Sequence, residues 1–118
     1  LLAAPWRNGG NKMSKYMFSG TYSLQGLEGV FKEGGSGRLE ATKHVLEAAG
    51  GTLESYYFAF GSDDFVLIAD LPDNVSAAAL SLVGAASGAI NPRVTVLLTP
   101  EEVDAATKMS VDYRPPGK

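Results

Sequence analysis

Apolar positions in this chain follow two rhythms that alternate along its length. Between Lys15 and Tyr22 they recur every second residue, with Tyr16, Phe18 and Tyr22 on one side and Met17 on the other. Period-two alternation rich in aromatics predicts a strand. From Ser23 the spacing turns helical, through Leu24, Leu27, Val30 and Phe31. Gly26 and Gly29 each weaken that helix by about 1 kcal/mol relative to alanine. The run Gly34-Gly35-Ser36-Gly37 ends the helix or hinges it. Arg38 to Ala49 is the clearest helix. Leu39, Thr42, Val45, Leu46 and Ala49 share one arc, and Glu40, Lys43, His44 and Glu47 share the opposite one. Gly50-Gly51 supplies its stop.

Two strands follow, Thr52 to Phe60 and Phe65 to Leu71, joined as a hairpin by Gly61-Ser62-Asp63-Asp64. Strict alternation puts Leu53, Tyr57 and Ala59 on one face of the first strand and Tyr56, Phe58 and Phe60 on the other. In the second, Phe65, Leu67 and Leu71 oppose Val66 and Ile68. Pro72-Asp73 opens a helix of small residues running from Val75 to about Ser87, and Arg93 to Leu98 reads as a fourth strand. Thr99-Pro100-Glu101-Glu102 combines an N-cap, a first-turn proline and a capping-box glutamate, and so starts another helix. The order strand, helix, strand, then strand, helix, strand predicts an α+β, ferredoxin-like βαββαβ fold. Its four-stranded antiparallel sheet carries helices on one face.

A sheet covered on one side only should turn polar residues to water on the other. Here both strand faces are apolar, so the helix-free face needs a cover. A second copy of the same sheet would supply it in a two-fold homodimer. The stretch between Asp73 and Arg93 contains no charged residue. It is rich in Ala, Ser and Gly and is interrupted by Pro92, which argues for burial on several sides and against a membrane span.

Composition narrows the chemistry. With 118 residues the chain fits one domain, and it contains no cysteine, which removes disulfides, thiolate nucleophiles and zinc ribbons. The net charge of −3 gives no footprint for nucleic acid or anionic membranes. Residues 1–12 hold Pro5, Trp6 and an Asn-Gly-Gly-Asn cluster, and read as an appendage or linker. The domain is expected over residues 13–108, with a tail at 109–118. A cytoplasmic location is expected.

The stretch from Met13 to about Asp104 resembles the GYD domain family of small bacterial and archaeal proteins. The pieces that match are Lys15-Tyr16 to Tyr22, Arg38-Leu39-Glu40-Ala41, Gly50-Gly51-Thr52-Leu53-Glu54-Ser55, the Gly61-to-Asp64 hairpin, Ala86-Ser87-Gly88 and Thr99-Pro100-Glu101-Glu102. In the motif that names the family, Gly61 and Asp64 match, and Asp63 stands where the family pattern has Tyr. The resemblance implies a dimeric α/β-barrel. It implies little about chemistry, because such barrels include cofactor-free monooxygenases, isomerases, haem enzymes and ligand sensors.

His44 is the only histidine and lies on a polar arc, so it reads as solvated. No metal-ligand spacing, P-loop or nucleophile elbow is present, and neither a metal nor a cofactor is expected. The ligand-binding candidates are Tyr22, Arg38, Tyr57 and Asp64: two amphipathic rings, a cation at a helix start and an anion at a hairpin. Catalytic residues are not identified. A ligand is expected between the sheet and the helices of one subunit, near the end of the first strand. This mixture suits a small aromatic or enolic compound. The favoured function is a small-molecule binding or assembly module, and the alternative is a cofactor-free monooxygenase- or isomerase-like enzyme.

Overall fold

The strand with alternating aromatics, β1 (Ser14–Tyr22), takes an inner place in the sheet. It pairs antiparallel with β3 (Phe65–Leu71) on one side and β4 (Ile90–Leu97) on the other, while β2 (Thr52–Phe58) extends the sheet beyond β3. The computed structural model describes residues 13–118, and the segment 1–12 read above as an appendage lies outside the described residues. Helices α1 (Leu24–Ala48) and α2 (Asn74–Ala86) make the two crossovers. The order β2-β3-β1-β4, antiparallel throughout, is that of a ferredoxin-like α+β fold.

One face of the sheet builds the core. Tyr16 and Phe18 of β1 sit opposite Ala69 and Leu67 of β3, and with Phe65 and Leu71 they close against Leu46 of α1 and Ala77 of α2. The buried Tyr16 hydroxyl donates to Asn74 Oδ1 at 2.7 Å, so its polar end is satisfied at the start of α2.

Three details depart from the simple periodic reading. The helical runs on either side of the glycine cluster join into α1, bent at Gly34, whose φ of 75° and ψ of 173° are accessible essentially to glycine alone. β2 stops at Phe58 instead of Phe60, and β4 starts earlier, at Ile90. β4 is an edge strand, and there Pro92 is tolerated. Most consequentially, the pairing of β2 with β3 shifts between Leu53 and Ser55. Leu53 faces Ala69, Ser55 faces Ile68 and Tyr56 faces Leu67. This bulge at Glu54 inserts one residue, so Leu53 and Tyr56 both turn toward the helices, where strict alternation had put them on opposite faces. Tyr57 turns to the helix-free face and is 66% exposed.

That open face carries Met17, Tyr57, Val66, Ile68 and Leu97. At one end Lys15 bridges Glu54 and Asp70, and at the other Arg93 grips both oxygens of Asp63 at 2.7 Å. Tyr56 and Phe58, assigned above to a face of their own, belong to the helix side. The outer side of α2 leaves Val75 and Leu82 exposed.

The helix predicted at Thr99 is α3 (Pro100–Thr107). Its capping box is complete, with Thr99 N–H donating to Glu102 Oε1 at 2.8 Å and Glu102 N–H to Thr99 Oγ1 at 3.1 Å. From Val103 to Lys118 every residue is exposed, and the radius of gyration is 17.3 Å. Among the described residues no helix is long and apolar enough to cross a membrane.

Candidate functional site

Between the sheet and its two helices lies a cavity of about 400 Å³. Phe18, Phe65 and Leu67 form its floor, Val45 and Leu46 of α1 one wall, and Leu80 and Val83 of α2 another. Into this apolar space project Tyr22, Tyr56, Arg38 and Glu33, delivered by three local features.

Tyr22 ends β1. Its N–H donates to Asp64 Oδ2 at 2.9 Å, and the Asp64 N–H donates to Gly20 O at 2.8 Å. Asp64 therefore clamps the hairpin onto the last turn of β1 and fixes where the Tyr22 side chain departs. Ser23 follows as the N-cap of α1, accepting from Gly26 N–H at 3.1 Å. Tyr56 arrives through the bulge at Glu54. Arg38 arrives through the bend at Gly34, and its Nη1 donates across that bend to Glu33 Oε1 at 3.0 Å.

The two phenolic oxygens stand 3.0 Å apart. Tyr22 also packs on Phe65 and Phe58, at ring-centroid distances of 5.4 and 6.4 Å. Burial, then the hydrogen bond with Tyr56, push the Tyr22 phenol well above its ordinary range, and the neighbouring Arg38 only partly offsets this. Burial opposes the charge on Arg38, but the Glu33 hydrogen bond and the nearby phenols outweigh it, so its pKa is raised. The cluster is a hydrogen-bonded phenol pair beside a permanent cation.

A pH dependence follows from these directions. Unfolded, Tyr22 ionises near its ordinary value of 10.0, whereas folded it keeps its proton. Lys15, raised by its hydrogen bonds to Asp70 and Glu54, also holds its proton longer when folded than its ordinary 10.5. The native state thus binds more protons above about pH 10, and stability is lost as pH rises through that window. Urea melts at pH 8 and near pH 11 should show this loss. In Tyr22→Phe the loss should be smaller but not absent, because Lys15 still contributes. An unchanged alkaline loss in Tyr22→Phe would contradict the assignment.

Of the four residues singled out from the sequence, the fold brings Tyr22 and Arg38 into this cavity. Tyr57 lies on the opposite face of the sheet, and Asp64 spends its carboxylate on the Tyr22 N–H while lining a second, more open groove with Phe58 and Phe60. The cavity itself lies where a ligand was expected. Tyr56 and Glu33 line the cavity as well, and the sequence pattern does not single them out as ligand contacts. No periodic signal reveals Tyr56, because the bulge inverts the count. Glu33 was visible in principle, as a charge opposite to Arg38 across the glycine run.

The strand order and the placement of the cavity define a class, a ferredoxin-like domain with a side pocket under its helices. The GYD domain matches residues 16–107, and the chain belongs to that family. No curated protein matches the chain, and no solved structure does.

Proposed function

We propose that this protein is a homodimeric binding module that holds a small aromatic or enolic molecule in the cavity between sheet and helices. The carrying observation is the cavity: about 400 Å³, within the usual range for ligand sites, apolar on most sides and provided with one converging polar cluster. Binding is favoured over turnover by the state of the carboxylates. Glu33, the only carboxylate lining the cavity among the described residues, is paired with Arg38, and Asp64 is committed to the backbone of Tyr22. Neither is placed as a general base inside the cavity, since Glu33 released from Arg38 turns to solvent, and a cofactor-free monooxygenase- or isomerase-like reaction would ask for such a base at the site.

Pairing of two open sheet faces is supported by the row Met17, Tyr57, Val66, Ile68 and Leu97, framed at both ends by ion pairs. A specific interface there would bury upwards of about 1,000 Å².

Two measurements test the reading. Light scattering should give twice the chain mass of 12.4 kDa, and Tyr57→Glu, at an exposed position, should shift the particle to the single-chain mass. A panel of aromatic metabolites should contain compounds that raise the melting temperature. A ligand at about 100 times its Kd adds about 2.7 kcal/mol. Gly29→Phe should abolish that response, because Gly29 lines the cavity and a Cβ built there meets nothing within 4 Å, which leaves an aromatic ring room to compete with the ligand. Persistence of the response in Gly29→Phe would place the binding elsewhere.

A further inference from the structure

The polar cluster is rich in donors, and its one carboxylate is paired with its cation, which restricts what it can hold. Two phenols carry two protons, and the Tyr22–Tyr56 hydrogen bond consumes only one of them. Whichever ring donates, one O–H remains, and no other hydrogen bond from either hydroxyl is found among the described residues. Arg38 brings five N–H donors, of which one goes to Glu33 and one is directed at the Tyr22 hydroxyl, so the others remain for a ligand. Of the remaining polar side chains of the wall, exposed Gln25 offers both a donor and an acceptor, while Thr42 and Ser87 are engaged with backbone. Thr42 Oγ1 donates to Arg38 O at 2.8 Å, and Ser87 Oγ donates to Gly84 O at 2.6 Å while accepting from Ala89 N–H.

Charge points the same way. The side chains of Arg38 and Glu33 are 34% and 39% exposed, so their ion pair is screened and readily exchanged. An incoming anion can take guanidinium donors while Glu33 swings to solvent. A cationic ligand would meet the Arg38 charge with only Glu33 to offset it.

Resting on the binding reading above, we infer that the ligand is an oxyanion on an apolar body — a carboxylate, phenolate or enolate. Its oxygen is taken between the Tyr22–Tyr56 hydroxyl pair and the Arg38 guanidinium, with its body against Phe18, Phe65 and Leu67. A phenolic O–H and a guanidinium N–H converging on one oxygen compensate the desolvation that an apolar cavity otherwise imposes on a negative charge.

The experiment is an NMR titration of the full chain with two near-isosteres, 1-naphthoate and 1-naphthamide, at pH 7.5. The amides of Gly29 and Gly84, both on the cavity wall, report occupancy. Naphthoate should bind about tenfold or more tighter than naphthamide. Arg38→Gln and Tyr56→Phe should each remove most of that preference. Glu33→Gln should increase affinity for naphthoate alone, because it removes a competing carboxylate, an effect that a merely structural Glu33 would not give. Equal binding of both probes, or a preference untouched by Arg38→Gln, overturns the oxyanion assignment and leaves the cavity as a neutral site. If neither probe moves the Gly29 and Gly84 resonances, the inference falls together with the binding reading. Tyr56→Phe is conservative, so folded spectra are expected for it, and Arg38→Gln lies at a partly exposed position.

Discussion

Gly26→Ala should destabilise the fold by about 1–3 kcal/mol, the usual cost of forcing atoms into a packed site. Helix propensity alone gives the opposite sign, because alanine is favoured over glycine by about 1 kcal/mol inside a helix. Geometry decides the contest. A Cβ at Gly26 would stand 2.1 Å from the Ala89 carbonyl oxygen and 3.1 Å from Tyr22 Cδ1. That carbonyl accepts the Ser23 N–H at 2.9 Å, and the Ser23 hydroxyl reaches Gly88 O at 2.6 Å. Both sides of the contact are backbone, so neither can yield without opening the seam between the first turn of α1 and the start of β4. Gly29, one turn further on, meets nothing within 4 Å. Gly29→Ala should therefore show the plain propensity effect, a gain of up to about 1 kcal/mol. Thermal melts of the pair should move in opposite directions, Gly26→Ala downward by roughly 10 °C. A higher melting temperature for Gly26→Ala would refute the close approach.

Leu71→Ala should cost more, about 2–5 kcal/mol, the range for deleting a buried leucine side chain. Leu71 ends β3 with no exposure at all and belongs to the single cluster that holds Tyr16, Leu46 and Ala77 together. It shares that cluster with residues of β1, α1 and α2, so the space left behind cannot be filled by a shift of one element. Against a total stability of about 5–15 kcal/mol this is a large fraction. Val75→Ala, at a position 76% exposed on α2, should change stability by no more than about 0.5 kcal/mol. Urea unfolding of both variants separates them. A midpoint for Leu71→Ala close to that of Val75→Ala would mean that the core is not organised around β3.

How much of this was legible in the residues depends on the range of the interaction involved. The alternation of Tyr16 and Phe18, the helical arc through Leu46 and the capping box at Thr99 are local patterns, and each element forms where its pattern lies. The bend at Gly34 was also announced, by a glycine run in the middle of helical spacing. The bulge at Glu54 was not. It depends on how β2 pairs with β3, and that one inserted residue exchanges Tyr57 for Tyr56 at the cavity. The carboxylate of Asp64 was similarly opaque, because its partner is a backbone N–H on another strand. Gly26 illustrates the same limit from the opposite direction. Its propensity is local, but its reason for being glycine is a carbonyl far along the chain at Ala89.

The outlying position of α3 and the exposed residues behind it has a hydrodynamic consequence. A packed chain of about 100 residues has a radius of gyration near 13 Å, whereas this one reaches 17.3 Å, with extents of 53 × 38 × 24 Å. A single chain of this shape diffuses slowly for its mass and leaves a gel-filtration column as though it were heavier. Elution volume of a lone chain would therefore overcount subunits, whereas scattering intensity and sedimentation equilibrium, both blind to shape, weigh this protein in solution.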